Sequence, residues 1–103
     1  MPLFAMLTRV SPDAIGAAGD LVELEQRTVR QIETECPEVQ WVASYAVLGP
    51  CDYLDIFQAP DAETAAKVSL LVRTLGHANT ELWTLTEWPR FKALLQDLEK
   101  GID

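Results

Sequence analysis

LGPCDYLDIFQAPD, residues 48–61, decides the fold. Gly49-Pro50 turns the chain, DYLDIFQA has the composition of a strand, and Asp61 stands before a run of helix-forming residues, so a hairpin turn, a strand and a helix start follow one another directly. The stretch also places a carboxylate, Asp55, in the middle of an apolar run. With Leu54 and Ile56 assigned to a helix-covered face, the two-residue period of a strand sends Tyr53, Asp55 and Phe57 to the opposite, bare face.

Upstream, VQWVASYAVL (39–48) alternates Val39, Trp41, Ala43, Tyr45 and Val47 against a smaller set, and is the first arm of the hairpin. Pro37 separates it from a helical stripe of Leu21, Leu24, Thr28 and Ile32. Asp20 and Glu23 resemble a capping box, so this first helix is expected from about 20 to 35. SPDAIGAAGD before it carries Pro12, Gly16 and Gly19 and predicts an irregular turn. LFAMLTRV (3–10) is apolar at both parities, as a central strand covered on both faces would be.

Downstream, AETAAKVSLLVRTLG has Ala65, Val68, Val72 and Leu75 on one stripe, a Glu63 to Lys67 pair on the other side, and Gly76 as its stop. NTELWTLTE reads as a fourth strand. Pro89 opens a third helix striped with Phe91, Leu94, Leu95 and Leu98 and ended by Gly101. The order is βαββαβ plus a C-terminal helix. Right-handed crossovers then give an α+β, ferredoxin-like fold: a four-stranded antiparallel sheet with both main helices on one face.

A chain of 103 residues with 49% hydrophobic content is expected to form one domain, with a core over 3–86 and the C-terminal helix over about 89–100. Eight basic against sixteen acidic residues give a net charge of −8, and no Lys/Arg cluster is present, which argues against nucleic acid and membrane as partners. The N-terminus has neither the charge nor the apolar length of a signal peptide, so a cytoplasmic location is expected. Cys36 and Cys51 form no disulfide framework, and about ten strand residues at ~3.3 Å each separate them, too far for a bridge.

The bare sheet face would carry large aromatics, with Trp41 and Tyr45 joining it if the second strand has the matching phase. That predicts two sheets meeting face to face in a homodimer, enclosing a cavity into which Tyr53 and Asp55 project. The plainer reading pairs Asp55 with a neighbouring Tyr or Arg. The only histidine, His77, should share one end of the sheet with Arg9 and Asp52, an arrangement suited to a general base or to anion binding; the plainer reading there is a loop histidine bonded to backbone. No metal site is expected, because Asp52 and Asp55 point to opposite faces.

LGPCDYLDIFQAPDAETAAKVSLLVRTLGHANTELWTLT, with the strand and helix that precede it, resembles the GYD-domain proteins of the dimeric α+β barrel class. Gly49 and Asp52 match the Gly-x-Tyr-Asp motif, Cys51 stands in place of its tyrosine, and Tyr53 follows. The resemblance covers roughly residues 3 to 86. It implies a ferredoxin-like fold and dimerisation through the open sheet face, and it implies no established activity. Barrels of this class include haem-degrading and quinol-type monooxygenases, and this chain offers His77, Asn79, Trp41, Trp83 and Trp88 for such chemistry; no motif supports a cofactor, and none is expected. The expectation is a homo-oligomeric small-molecule-binding or assembly module with Tyr53, Asp55, Phe57, Asp52, Arg9, His77 and Trp41 as ligand-binding residues. The alternative is a small enzyme using His77 and an acid.

Overall fold

The computed structural model describes residues 1–11 and 18–102. Its elements run β1 (Leu3–Val10), α1 (Ala18–Glu35), β2 (Gln40–Ala46), β3 (Tyr53–Gln58), α2 (Ala62–Leu75), β4 (Ala78–Leu85) and α3 (Trp88–Ile102). The strands form one antiparallel sheet in the order β2-β3-β1-β4, with β1 central as its doubly apolar sequence predicts. This is the ferredoxin-like α+β arrangement. Pro12 and Gly16 of the expected irregular turn lie outside the described residues. Asp20, the expected start, falls within α1, which begins at Ala18. Among the described residues no helix is long and apolar enough to cross a membrane.

Pairing fixes the faces. Phe4, Met6 and Thr8 of β1 stand opposite Phe57, Asp55 and Tyr53 of β3, and opposite Thr84, Leu82 and Thr80 of β4. Phe4, Met6 and Phe57 are buried in one core with Ile32 of α1 and Ala65, Val68 and Val72 of α2, so these positions face the helices. Rings reinforce the layer: Phe57 stacks on Phe4 at 5.8 Å and meets Trp41 edge-on at 5.3 Å.

The expectation that Tyr53, Asp55 and Phe57 occupy the bare face is therefore overturned. They point towards the helices, and Leu54 and Ile56 take the open side. The physical reason is bulk: Phe57 fills the core completely, and a period of two carries Asp55 and Tyr53 with it. Strand β2 also departs from the simple alternation. Its register against β3 shifts between Trp41 and Ala43, leaving Val42 as an extra residue. Trp41, Ser44 and Ala46 thus share the helix face, while Ala43 and Tyr45 take the open one.

Helix α2 starts as its sequence requires, with the Asp61 carboxylate accepting the Thr64 N–H at 2.7 Å. Its end is tight. A Cβ on Gly76 would lie 2.6 Å from the Val72 carbonyl oxygen, and the left-handed backbone position falls on His77, at φ 49°. Lys67 pairs across to Glu35 of α1 at 3.9 Å rather than to Glu63 as expected. The stripe of α3 is uncovered: Phe91, Leu94, Leu95 and Leu98 are all exposed. That helix continues through Gly101, the expected stop.

Candidate functional site

Two surfaces stand out, one on each side of the sheet. On the helix side, α1 stands off from the β2/β3 half of the sheet and leaves a cavity of about 560 Å³. Met6, Leu24, Ile32 and Val72 form its apolar wall. Small-molecule sites have this character, a mostly apolar hollow of a few hundred Å³ with a few polar groups converging in it.

Polar groups come from β1, β2 and β3, with Glu25 and Thr28 added from α1. Thr8 faces Tyr53 directly across the strand pair, and Asp55 lies one pleat along, opposite Ser44. All four line the cavity. Thr8 is 3% exposed, and neither its Oγ1 nor the Tyr53 hydroxyl has a hydrogen-bond partner among the described residues. Buried polar atoms without partners are uncommon in native proteins and mark a place that needs explanation. Burial pushes the Asp55 carboxyl above the usual carboxylate range, with the Ser44 hydroxyl partly offsetting the effect. Burial raises the Tyr53 hydroxyl as well, helped by the charges of Asp52, Glu25 and Asp55.

On the other side the sheet carries no helix. Two rows cross it by register, Tyr45-Leu54-Leu7-Glu81 and Ala43-Ile56-Ala5-Trp83, apolar except at Glu81. Trp83 and Tyr45 are exposed by 51% and 55%. Contiguous apolar surface of this kind is characteristic of interfaces.

The expected site residues are distributed between these places. Tyr53, Asp55 and Trp41 do come together, but in the cavity under α1 and not on a bare face. Phe57 lies beneath them in the core, with no exposed surface. Arg9, Asp52 and His77 do share one end of the sheet, yet the side chains of Arg9 and Asp52 are bound to backbone, and His77 is tied to β1 through its own main chain. The Asp52 carboxylate accepts the Val10 N–H at 2.8 Å, the Arg9 guanidinium donates to the Pro50 carbonyl, and the His77 carbonyl accepts the Ser11 N–H at 3.0 Å. Among the described residues no ion pair joins the three. Cys36 and Cys51 are free and buried. No cluster of metal-binding side chains occurs among the described residues.

Sequence reasoning did not single out Thr8, Ser44 or Glu25. Thr8 had a signal: it is the one hydroxyl in phase with Phe4 and Met6 on a strand otherwise apolar on that parity. Ser44 had none, because only the bulge brings it to the cavity.

The family model described as GYD domain matches residues 4–95. A protein of Thermus thermophilus, named glutamine synthetase and cystathionine beta-lyase binding protein, is 34% identical over 83 residues, covering 78% of this chain and 83% of its own length. Among solved structures, the leucine response regulatory protein of Mycobacterium tuberculosis superposes with a TM-score of 0.55 at 14% identity. That match covers 84% of this chain and 51% of the other, so it concerns the fold of about half of the regulator.

Proposed function

The chain belongs to the GYD-domain family, and from that membership and its uncovered apolar surfaces we propose that it is a binding and assembly module which pairs with a second copy of itself, sheet against sheet. The observation that carries the reading is the open face, where Leu7, Leu54, Ile56, Tyr45 and Trp83 make a largely apolar surface, interrupted by Glu81, with no helix over it among the described residues. A two-fold interface needs a patch that complements itself, and a twisted sheet of apolar side chains does so by interdigitation. The exposed stripe of α3 supplies a second surface that the partner copy would cover.

The T. thermophilus relative is named for binding two enzymes, which supports a further protein partner for the assembled form. Glutamine synthetase and cystathionine beta-lyase from the same source as this chain are the first partners to try. The cytoplasmic setting expected from the sequence belongs to the same proposal. The enzyme alternative has less support, since Arg9 and Asp52 already serve the backbone at the His77 end.

Native mass spectrometry and sedimentation of the parent chain and of Ile56→Lys test the reading. The parent is expected as a dimer or a multiple of one, and the variant as a folded monomer, because pairing the sheets would bury the added ammonium among apolar side chains. A parent chain that stays monomeric at concentrations of about 100 μM would remove the assembly function.

A further inference from the structure

We propose that the cavity between α1 and the β2/β3 half of the sheet is a binding site for a small organic amine: an apolar body carrying one protonated nitrogen, with the nitrogen held at Asp55. This site lies on the opposite side of the sheet from the assembly face and does not rest on that reading.

Three independent features of the walls select this ligand class. The first is shape and polarity, a hollow of about 560 Å³ with an apolar wall of Met6, Leu24, Ile32 and Val72 and a few polar groups, on the sheet and at Glu25 and Thr28 of α1. A ligand fitting it is mostly apolar and carries few polar atoms.

The second is the sign of the charge. Asp55 and Glu25 line the cavity, whereas no Lys, Arg or His among the described residues does. A phosphate, sulfate or carboxylate would meet two carboxyl groups and no counter-charge, and a cation would meet two partners. Trp41 and Tyr53 also line the cavity, and aromatic rings in the same hollow as Asp55 suit a cation better than an anion.

The third is the set of unpartnered hydroxyls. An ammonium has up to three N–H bonds to give, and it finds acceptors grouped on neighbouring positions: the Asp55 carboxylate, the Tyr53 oxygen one pleat along β3, and the Thr8 oxygen directly opposite Tyr53. Cross-strand neighbours lie about 5 Å apart and successive same-face residues about 7 Å apart, so the three positions form one patch of the cavity wall that offers acceptors to a bound nitrogen. Burial keeps Asp55 reluctant to ionise, and a bound ammonium would reverse that by stabilising the carboxylate.

The test uses three probes with the same phenyl body and different heads: 2-phenylethylamine, 2-phenylethanol and 3-phenylpropionate. Each is titrated by calorimetry into the full chain at about pH 8, where a carboxylate is ionised, with amide shifts recorded by NMR. The expected result is saturable binding of the amine at least about tenfold tighter than the alcohol, with no binding of the acid and with shifts centred on Thr8, Trp41, Tyr53 and Asp55. Asp55→Asn should lose about tenfold in amine affinity and leave the alcohol unchanged. Glu25→Gln, an exposed position on α1 whose substitution does not threaten folding, should weaken the amine severalfold. Equal binding of amine and alcohol, binding of the acid as tightly as the amine, no saturable amine binding up to about 10 mM, or an amine affinity unmoved in both variants would each overturn the proposal.

Discussion

Asp55 is costly to the fold at neutral pH. Its carboxyl is raised above its unfolded value by burial, so the stability it permits is fully present below the unfolded value, near pH 4, and is lost as pH rises through the raised folded value. Asp55→Asn removes the ionisable group, and urea unfolding should find the variant more stable than the parent at pH 7. The gain should shrink to nothing as pH falls to about 4. Thr8 argues in the same direction. Replacing its unpartnered hydroxyl by a methyl of the same shape, Thr8→Val, should raise the unfolding free energy of the ligand-free chain by about 1 kcal/mol, checked by the same titration. Gly76→Ala should do the opposite and cost roughly 1–3 kcal/mol, because the added Cβ meets the Val72 carbonyl oxygen and the helix end must shift. Residues that lower stability and line a cavity fit a site kept for binding rather than for packing.

At the scale of elements, α3 is the part whose packing partner is not supplied by its own domain. Its stripe of Phe91, Leu94, Leu95 and Leu98 is exposed, and Trp88 stacks only on Phe91, at 5.9 Å, within the same helix. The double substitution Leu94→Glu with Leu98→Glu should therefore leave the unfolding free energy of the monomer within about 0.5 kcal/mol of the parent. Its effect should appear in the sedimentation coefficient of the assembly instead. The helices and strands themselves were legible in the sequence, since Asp61, Pro89 and the helical stripes each act through local geometry. Which way β3 faced was not. A strand with Tyr, Asp and Phe on one parity and Leu and Ile on the other satisfies the helix side either way, and the outcome depends on Phe57 meeting Phe4 and Trp41 across the sheet. The cavity was hidden for a related reason: it is set by how far α1 stands from β2, a tertiary distance that no local pattern encodes. Trp41, Tyr53 and Asp55 are legible as a group, because strand alternation keeps Tyr53 and Asp55 on one face whichever way that face points.

For the whole molecule, the radius of gyration of 16.4 Å exceeds the ~13 Å of a compact domain of about 100 residues, and the principal extents are 60 × 30 × 18 Å. So open a shape suits a chain that finishes its packing against another. Each copy carries a net charge of −8, and two copies brought together repel. Raising salt screens that repulsion while leaving apolar contact intact, so the dissociation constant of the dimer, followed by sedimentation, should fall from low to moderate ionic strength. A dimer held by ion pairs would respond in the opposite sense. The bulge at Val42 bears on what kind of assembly results. It sits in β2, a border strand of the sheet, where a regular ladder would leave a row of N–H and C=O groups ready to take up another chain side by side. One surplus residue twists that row out of line and denies it to a newcomer. Growth by continuous sheet extension into fibres is thereby discouraged along that border, and contact is steered towards broad-face pairing that closes on itself.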